Sequence, residues 1–293
     1  MIPRFDATSF SDVTAEMQQA FNRDGVLVLD GLIPDAMCDN LRSHMAEVMN
    51  SFDVEEHASV FSSTSQAHAQ DEYFLSSGHG TRFFFEEEAF DDSGKLIKPL
   101  EKALNKVGHA MHDCDPEFDR FSRQPILAKL AAGLGHTDPK LAQSMYIFKQ
   151  PEIGGEVICH QDATYIRTAP NSCLGIWIAL EDATEENGCL WGIPGGHKGS
   201  AVPGMPKSLF IREGVGTRTE ILDTTPFDEE ACVPLPAPKG TVLAFGGLFP
   251  HMSRANRSAK SRHAYTLHVI DGATNYPDNN WLQRPAEMPF RGF

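Results

Sequence analysis

No stretch of this 293-residue sequence reaches the roughly 18 consecutive apolar residues that a membrane-spanning helix needs, so none is expected. Positive charge is short as well: 25 lysines and arginines stand against 40 aspartates and glutamates, a formal net charge of -15. That balance repels phosphate backbones and anionic lipid at long range, which argues against nucleic-acid and membrane-surface partners. The six cysteines, Cys38, Cys114, Cys159, Cys173, Cys189 and Cys232, form no C-x-x-C pair, and "MIPRFDATSF" has no apolar signal core. Free thiols in a reducing, cytoplasmic setting are the expectation. The closing "PFRGF" is not an address of S-K-L type. Nothing in the composition favours disorder, because 41% hydrophobic and 22% charged residues are ordinary for a packed domain.

The chain reads as one domain, 1–293, in which N-terminal helices brace a mainly β structure. Residues 12–23 and 34–50 carry apolar side chains at helical spacing, the second opening with Pro34, and the glycine-bounded "GVLVLDG" between them reads as a buried strand. A polar, serine-rich stretch at 51–80 reads as a long loop. From "KPLEKALNKVGHAMH" to "PILAKLAAGLG" the spacing is again helical, so residues 1–140 are expected to be mostly helical support. Beyond them short β-like runs follow one another with turn signals between: "SMYIFKQ", "EVICHQDA", "LGIWIAL", "GCLWGIP", "GTVLAFG" and "RHAYTLHVI". Regular short strands of this kind suggest a jelly roll, with its core at 141–272. A Pro- and Gly-rich insertion at 196–238 sits between strands, where a lid or substrate loop is expected.

His160 and Asp162 stand two apart in "EVICHQDA", and a strand would point both to one face. Spacing alone decides nothing: with 12 histidines in 293 residues, a His-x-Asp triplet is expected roughly once by chance. A second one, His136-Thr137-Asp138, lies between Gly135 and Pro139, and that turn reads as solvated surface. An iron site for oxygen chemistry takes two imidazoles and one carboxylate on one face, leaving other positions open. His251, directly after the "GTVLAFG" strand, is the best third ligand; His197 in a glycine-rich turn is a rival, and His263 and His268 fall on opposite faces of the last strand. Arg262 begins a face that continues through Ala264, Thr266 and His268. If that face is inward, Arg262 calls for an anionic ligand. Gly175, Trp177 and Ala179 share a face suited to a ligand, while Ile176, Ile178 and Leu180 suit a core. Met145, Ile147 and Lys149 share one side of their strand. Cys159 and Cys189 read as small core residues, and "FEEEAFDD" as a solvated acidic face.

These motifs, with "DEYFLSSG", "RFFFEEEAFDDSGKL", "QSMYIFKQPEIGGEV", "HQDATY", "EDATEENGCLWGIPGGH" and "SRHAYTLHVID", resemble the phytanoyl-CoA dioxygenase family from "FNRDGVLVLDGLIP" almost to the end. The resemblance implies a double-stranded β-helix holding iron(II) through His160, Asp162 and His251. It implies that Arg262, helped by Ser253, pairs a carboxylate of 2-oxoglutarate, and that Lys106, Met145, Gln161 and Trp177 line that cofactor. The implied reaction is decarboxylation of 2-oxoglutarate to succinate coupled to hydroxylation of a small molecule by dioxygen, with ascorbate as an activator. Asp162 argues against halogenation, since halogenating relatives put a small residue there. A monomer or weak dimer is expected. The alternative is a non-catalytic barrel that binds or senses a metal or small acid through the same residues. Phe83, Tyr165 and Trp191 are candidate pocket walls, and Lys198, Lys207, Arg212 and Arg218 could meet an anionic group, although solvated loop charge is the commoner state.

Overall fold

The structure, a computed structural model, describes residues 2–52, 59–60 and 72–293. Most of the loop expected at 51–80 lies outside them, and its described end carries a short helix, Glu72–Ser76 (α3). The two helices expected early are Ala15–Asp24 (α1) and Asp35–Asn50 (α2). The Thr14 hydroxyl accepts a hydrogen bond from the Met17 amide at 3.2 Å and so satisfies one of the free donors that begin α1. Gly25 ends it at φ +83°, a conformation that costs other residues roughly 1 kcal/mol or more. Met111–Cys114 (α4), Pro116–Ser122 (α5) and Pro125–Gly133 (α6) follow, α5 capped by Asp115 and opened by proline. Among the described residues no helix is long and apolar enough to cross a membrane.

Among the described residues ten strands form one sheet. Its order is β1 (Arg4–Asp6), β2 (Val26–Asp30), β13 (Val242–Gly246), β8 (Leu174–Ala179), β15 (Ala264–Asp271), β6 (Pro139–Ile147), β5 (Leu104–His109), β4 (Thr81–Phe85) and β3 (Ser59–Val60), with β16 (Arg291–Gly292) pairing β6. A four-stranded sheet runs β12 (Val233–Leu235), β9 (Leu190–Gly192), β14 (His251–Ser253) and β7 (Val157–His160). One cavity is lined from both sheets, so they face each other as the two layers of a double-stranded β-helix without closing into a barrel. The outer face of the large sheet meets the helices: Met17, Leu41, Met45, Phe118, Leu127 and Leu130 pack with Ile176, Ile178, Tyr265 and Leu267. Each such side chain contributes about 1.5–3 kcal/mol by leaving water.

The alternation expected in "LGIWIAL" is present. Ile176, Ile178 and Leu180 face the helices, while Trp177 and Ala179 turn to the other side with Leu190 and Phe249. Three expectations are corrected. Residues 1–140 also supply the strands β1 to β5, and "LNKVGH" is a strand rather than a helix. Helix propensity in that run loses to pairing on both edges, Lys106 opposite Phe84 on β4 and opposite Ile147 on β6, with all six residues of the strand buried. The insertion at 196–238 holds a hairpin, β10 (Ser208–Glu213) with β11 (Gly216–Ile221), and its end is β12, a member of the smaller sheet.

Candidate metal centre

Strand β7 stops at His160, and Asp162 opens a single tight turn, Asp162–Thr164, rather than continuing the strand. His251 starts β14, directly opposite His160 in the ladder. One ligand atom from each of His160, Asp162 and His251 lies within 4.8 Å of the others. Asp162 Oδ1 is 3.6 Å from His160 Nε2 and 3.7 Å from His251 Nε2, and the two imidazole centroids are 4.3 Å apart. Each histidine is oriented by its own chain. His160 Nδ1 is 2.8 Å from the Ile158 carbonyl and His251 Nδ1 is 3.0 Å from the Phe249 carbonyl, so Nδ1 donates and the Nε2 lone pair faces the centre.

Burial pushes His251 down to about 4, with His160 adding to the effect, so it offers a neutral imidazole donor at neutral pH. For Asp162 burial alone would raise the carboxyl, but His268 and His251 beside it, with hydrogen bonding to His160 and His268, hold it well below the usual range. Two nitrogens and one carboxylate oxygen, neutral and charged as a divalent cation requires, fit an iron(II) centre with open positions. The second triplet is different. His136 is half-buried rather than free on the surface, its ring nitrogens 3.2 Å from the Ala131 carbonyl and 2.7 Å from the Ser172 carbonyl, while Asp138 pairs Lys140 at 2.9 Å.

The triad opens into a cavity of about 190 Å³. Met145, Ile147 and Lys149 line it from β6 and the residues after it, as their alternation predicts, and Trp177, Ser253, Arg262 and Lys106 join them. Arg262 is 2% exposed; its Nε donates to the Gly188 carbonyl at 3.0 Å, its Nη2 lies 3.4 Å from Ser253 Oγ, and its Nη1 has no partner among the described residues. The guanidinium also sits 5.3 Å from the Trp177 ring centroid. Burial pushes Lys106 and Lys149 each down to about 7, Arg262 adding to the effect on Lys149, and burial pushes Arg262 to about 10. Asp162 is the one acidic side chain among the described lining residues. Three basic groups beside one carboxylate make a cavity short of negative charge, which a small dicarboxylate would supply.

Other expected contacts fall elsewhere. Gln161 does not line the cavity: its Nε2 donates to the Leu248 carbonyl at 2.7 Å and its Oε1 accepts from the Lys207 amide at 2.8 Å. Of the candidate walls Tyr165 is in place, whereas Phe83 stacks on Phe52 at 3.9 Å and Trp191 lies under Arg254 at 4.0 Å. Lys207 pairs Asp223 at 2.6 Å, Arg218 pairs Glu213 at 2.8 Å, and Lys198 donates to the Arg23 carbonyl at 3.2 Å. His197 is apart from the triad, against Gly25. Within "FEEEAFDD", Glu86 is buried and not solvated; its carboxylate accepts from the Gly155 amide at 3.0 Å. Cys159 and Cys189 are buried free thiols. Among the lining residues to which the sequence pattern assigns no role are His268, which shares the inward face of Arg262, and the aromatic Phe210 and Trp281.

A family model for Phytanoyl-CoA dioxygenase (PhyH) matches residues 21–264, a span that holds the triad and Arg262. The chain is 41% identical over 289 residues to Phytanoyl-CoA dioxygenase domain-containing protein 1 of Danio rerio, covering 95% of this chain and 97% of that protein. It is 42% identical over 278 residues to Phytanoyl-CoA dioxygenase of Arabidopsis thaliana, covering 94% and 95%. Among solved structures, the non-heme alpha ketoglutarate dependent carbocyclase SnoK from nogalamycin biosynthesis aligns with a TM-score of 0.63 at 16% identity over 98% of this chain and 99% of that one. EctD from S. alaskensis with bound Fe aligns with a TM-score of 0.61 at 19% identity over 97% and 88%.

Proposed function

The chain belongs to the phytanoyl-CoA dioxygenase family, and on that premise we propose that it is an iron(II)- and 2-oxoglutarate-dependent dioxygenase that couples decarboxylation of 2-oxoglutarate to hydroxylation of a small organic substrate. One observation carries this reading. The His160, Asp162 and His251 donors converge within 4.8 Å in the same cavity that holds a buried Arg262 whose Nη1 has no partner among the described residues.

Iron(II) bound there supplies activation of dioxygen, with 2-oxoglutarate as the co-substrate that leaves as succinate and carbon dioxide. The protein's part is placement. His160 and His251 present Nε2 because their Nδ1 atoms are tied to backbone carbonyls, and Asp162 brings the one anionic donor. Arg262 would take the distal carboxylate of 2-oxoglutarate through Nη1 and Nη2, with Ser253 oriented between Arg262 and the Gly188 carbonyl. Lys106 would add positive charge to the same dicarboxylate, while Met145 and Trp177 form walls around it. Apolar lining from Val157, Leu190, Phe245 and Met252 excludes water from the reacting region.

The test measures succinate formed from 2-oxoglutarate with iron(II) and ascorbate. The parent protein is expected to form succinate, faster when a metabolite extract contains the substrate, and the product is found as a mass gain of one oxygen. His160→Ala is expected to abolish the reaction. Tight binding of metal and 2-oxoglutarate with no succinate under any extract would instead support a non-catalytic binding role.

A further inference from the structure

We propose that His268 is a positioning residue that holds the outer oxygen of Asp162, so that this carboxylate meets the metal through one oxygen only. The inference rests on the metal-centre reading above and goes beyond it.

Two sides of one carboxylate face different groups. Oδ1 lies toward His160 Nε2 and His251 Nε2, at 3.6 and 3.7 Å, whereas Oδ2 lies 3.0 Å from His268 Nε2. Both side chains are about 7% exposed, so water does not compete for Oδ2. A buried carboxylate oxygen needs a donor; Oδ2 completes no aligned hydrogen bond among the described residues, and the imidazole Nε2 at 3.0 Å is the group placed to supply one. The remaining ring atom agrees with this tautomer: His268 Nδ1 has no partner among the described residues, as suits a nitrogen without a proton. Nε2 carries a proton in that neutral tautomer and in the imidazolium alike, so the contact does not depend on the charge of His268.

The sheet makes room for this approach. His268 on β15 is the register partner of Gly175 on β8. A Cβ at position 175 would lie 2.8 Å from Asp162 Oδ2 and 2.5 Å from the Phe245 ring, so only glycine leaves the outer oxygen open to its neighbour. The donor therefore comes from the large sheet, and the carboxylate from the connection after β7 in the small one. His268 is outside the convergent ligand group, which contains His160, Asp162 and His251. A carboxylate free to rotate could offer both oxygens and fill a position that dioxygen or a co-substrate needs; fixing Oδ2 prevents this.

The experiment uses the full chain and cobalt(II) in place of iron, with affinity measured by competition against a fluorescent chelator. His268→Ala is expected to weaken cobalt(II) binding about 10- to 100-fold, the usual cost of losing a group that orients a ligand. His268→Gln keeps an N–H donor of similar reach and is expected to stay within about 3-fold of the parent, with the cobalt(II) absorption spectrum unchanged. Equal losses in Gln and Ala, or no loss in Ala, would overturn the proposal, as would a parent spectrum from pulsed EPR of the copper(II) form that counts three coordinated imidazoles rather than two. His160→Ala separates the two levels. If the parent binds cobalt(II) no better than His160→Ala, the metal centre itself is wrong. If the parent binds well and His268→Ala matches it, only the positioning role fails. Thermal unfolding of each metal-free variant confirms that a loss of affinity is not a loss of fold.

Discussion

Replacing Arg262 by methionine separates what the guanidinium does for a ligand from what it does for the fold. Arg262 is 2% exposed, and its contacts among the described residues are the Gly188 carbonyl, Ser253 Oγ and the Trp177 ring, none of them a carboxylate. A buried cation without an acidic partner carries an uncompensated desolvation cost, so an apolar side chain of similar length is expected to leave the ligand-free protein at least as stable. Binding is a different matter. Nη1 and Nη2 offer two N–H groups to a carboxylate, each charged hydrogen bond contributing about 1.5–3 kcal/mol. Allowing for non-additivity, a loss of roughly 3–4 kcal/mol weakens 2-oxoglutarate by about 100- to 1000-fold, since 1.4 kcal/mol is tenfold. At a concentration 100 times the parent dissociation constant, 2-oxoglutarate stabilises the parent by about 2.7 kcal/mol, or roughly 5 °C in Tm for a chain of this size. The assay is thermal unfolding with and without 2-oxoglutarate, with manganese(II) in the metal site to prevent turnover. The parent should show the shift, and Arg262→Met should lose it while keeping its ligand-free Tm. A variant that keeps the shift, or whose ligand-free Tm falls by many degrees, refutes the reasoning and makes Arg262 a structural residue.

Further outcomes follow from the same geometry. Gly175→Ala puts a methyl group 2.5 Å from the Phe245 ring and 2.8 Å from Asp162 Oδ2; it should lower stability by about 1–3 kcal/mol in urea unfolding and weaken metal binding as well. The Asp113 side chain is 2% exposed and gathers Arg123, Arg284 and Arg291 at 2.7, 3.4 and 2.7 Å. Asp113→Ala leaves those cations without their common acid and should cost about 3–5 kcal/mol, with proteolysis opening first at the C-terminal strand β16. Burial pushes His263 down to about 4 even though Glu181 opposes that shift. The unfolded chain therefore binds a proton between pH 6.5 and about 4 that the folded chain does not, and stability should fall as pH drops through that window, by up to about 1.4 kcal/mol per pH unit for this one group. The urea midpoint of His263→Gln should show a shallower slope there.

The inward faces of the strands and the arginine were legible because their signals are local. A period of two places Met145, Ile147 and Lys149 together, or Arg262 with Thr266 and His268, before any tertiary contact is known. Helices α1 and α2 were legible for the same reason, their apolar stripes and end signals being contained within the segment. Lys106 was placed on a helix because "EKALNK" favours one, and only pairing with β4 and β6 reverses that preference. Glu86 read as surface charge because nothing near it in sequence reveals the Gly155 amide that it accepts from. Asp162 lies beside His160 by a different path from the one expected, since the turn after β7 rather than strand alternation brings it there. His268 was visible on the correct face, yet its partner lies 106 residues earlier, in a connection of the opposite sheet (268 - 162). The aromatic residues Phe210 and Trp281 belong to a hairpin and a tail whose fold over the cavity no periodicity encodes.

The cavity is assembled by two classes of chain segment. Its walls are β6, β8 and β15 of the large sheet and β7, β9 and β14 of the small one, where register ties each strand's side chains to their neighbours and a change at one position disturbs several others. Part of its lining comes from α3, the β10–β11 hairpin and the stretch around Trp281, which contribute Phe74, Phe210 and Trp281. Drift in those outlying segments can reshape which molecules enter while the oxidising centre stays intact. One chemistry can therefore be inherited unchanged as its clientele diverges, the reactive groups acting as a fixed tool and the outlying lining as its exchangeable grip.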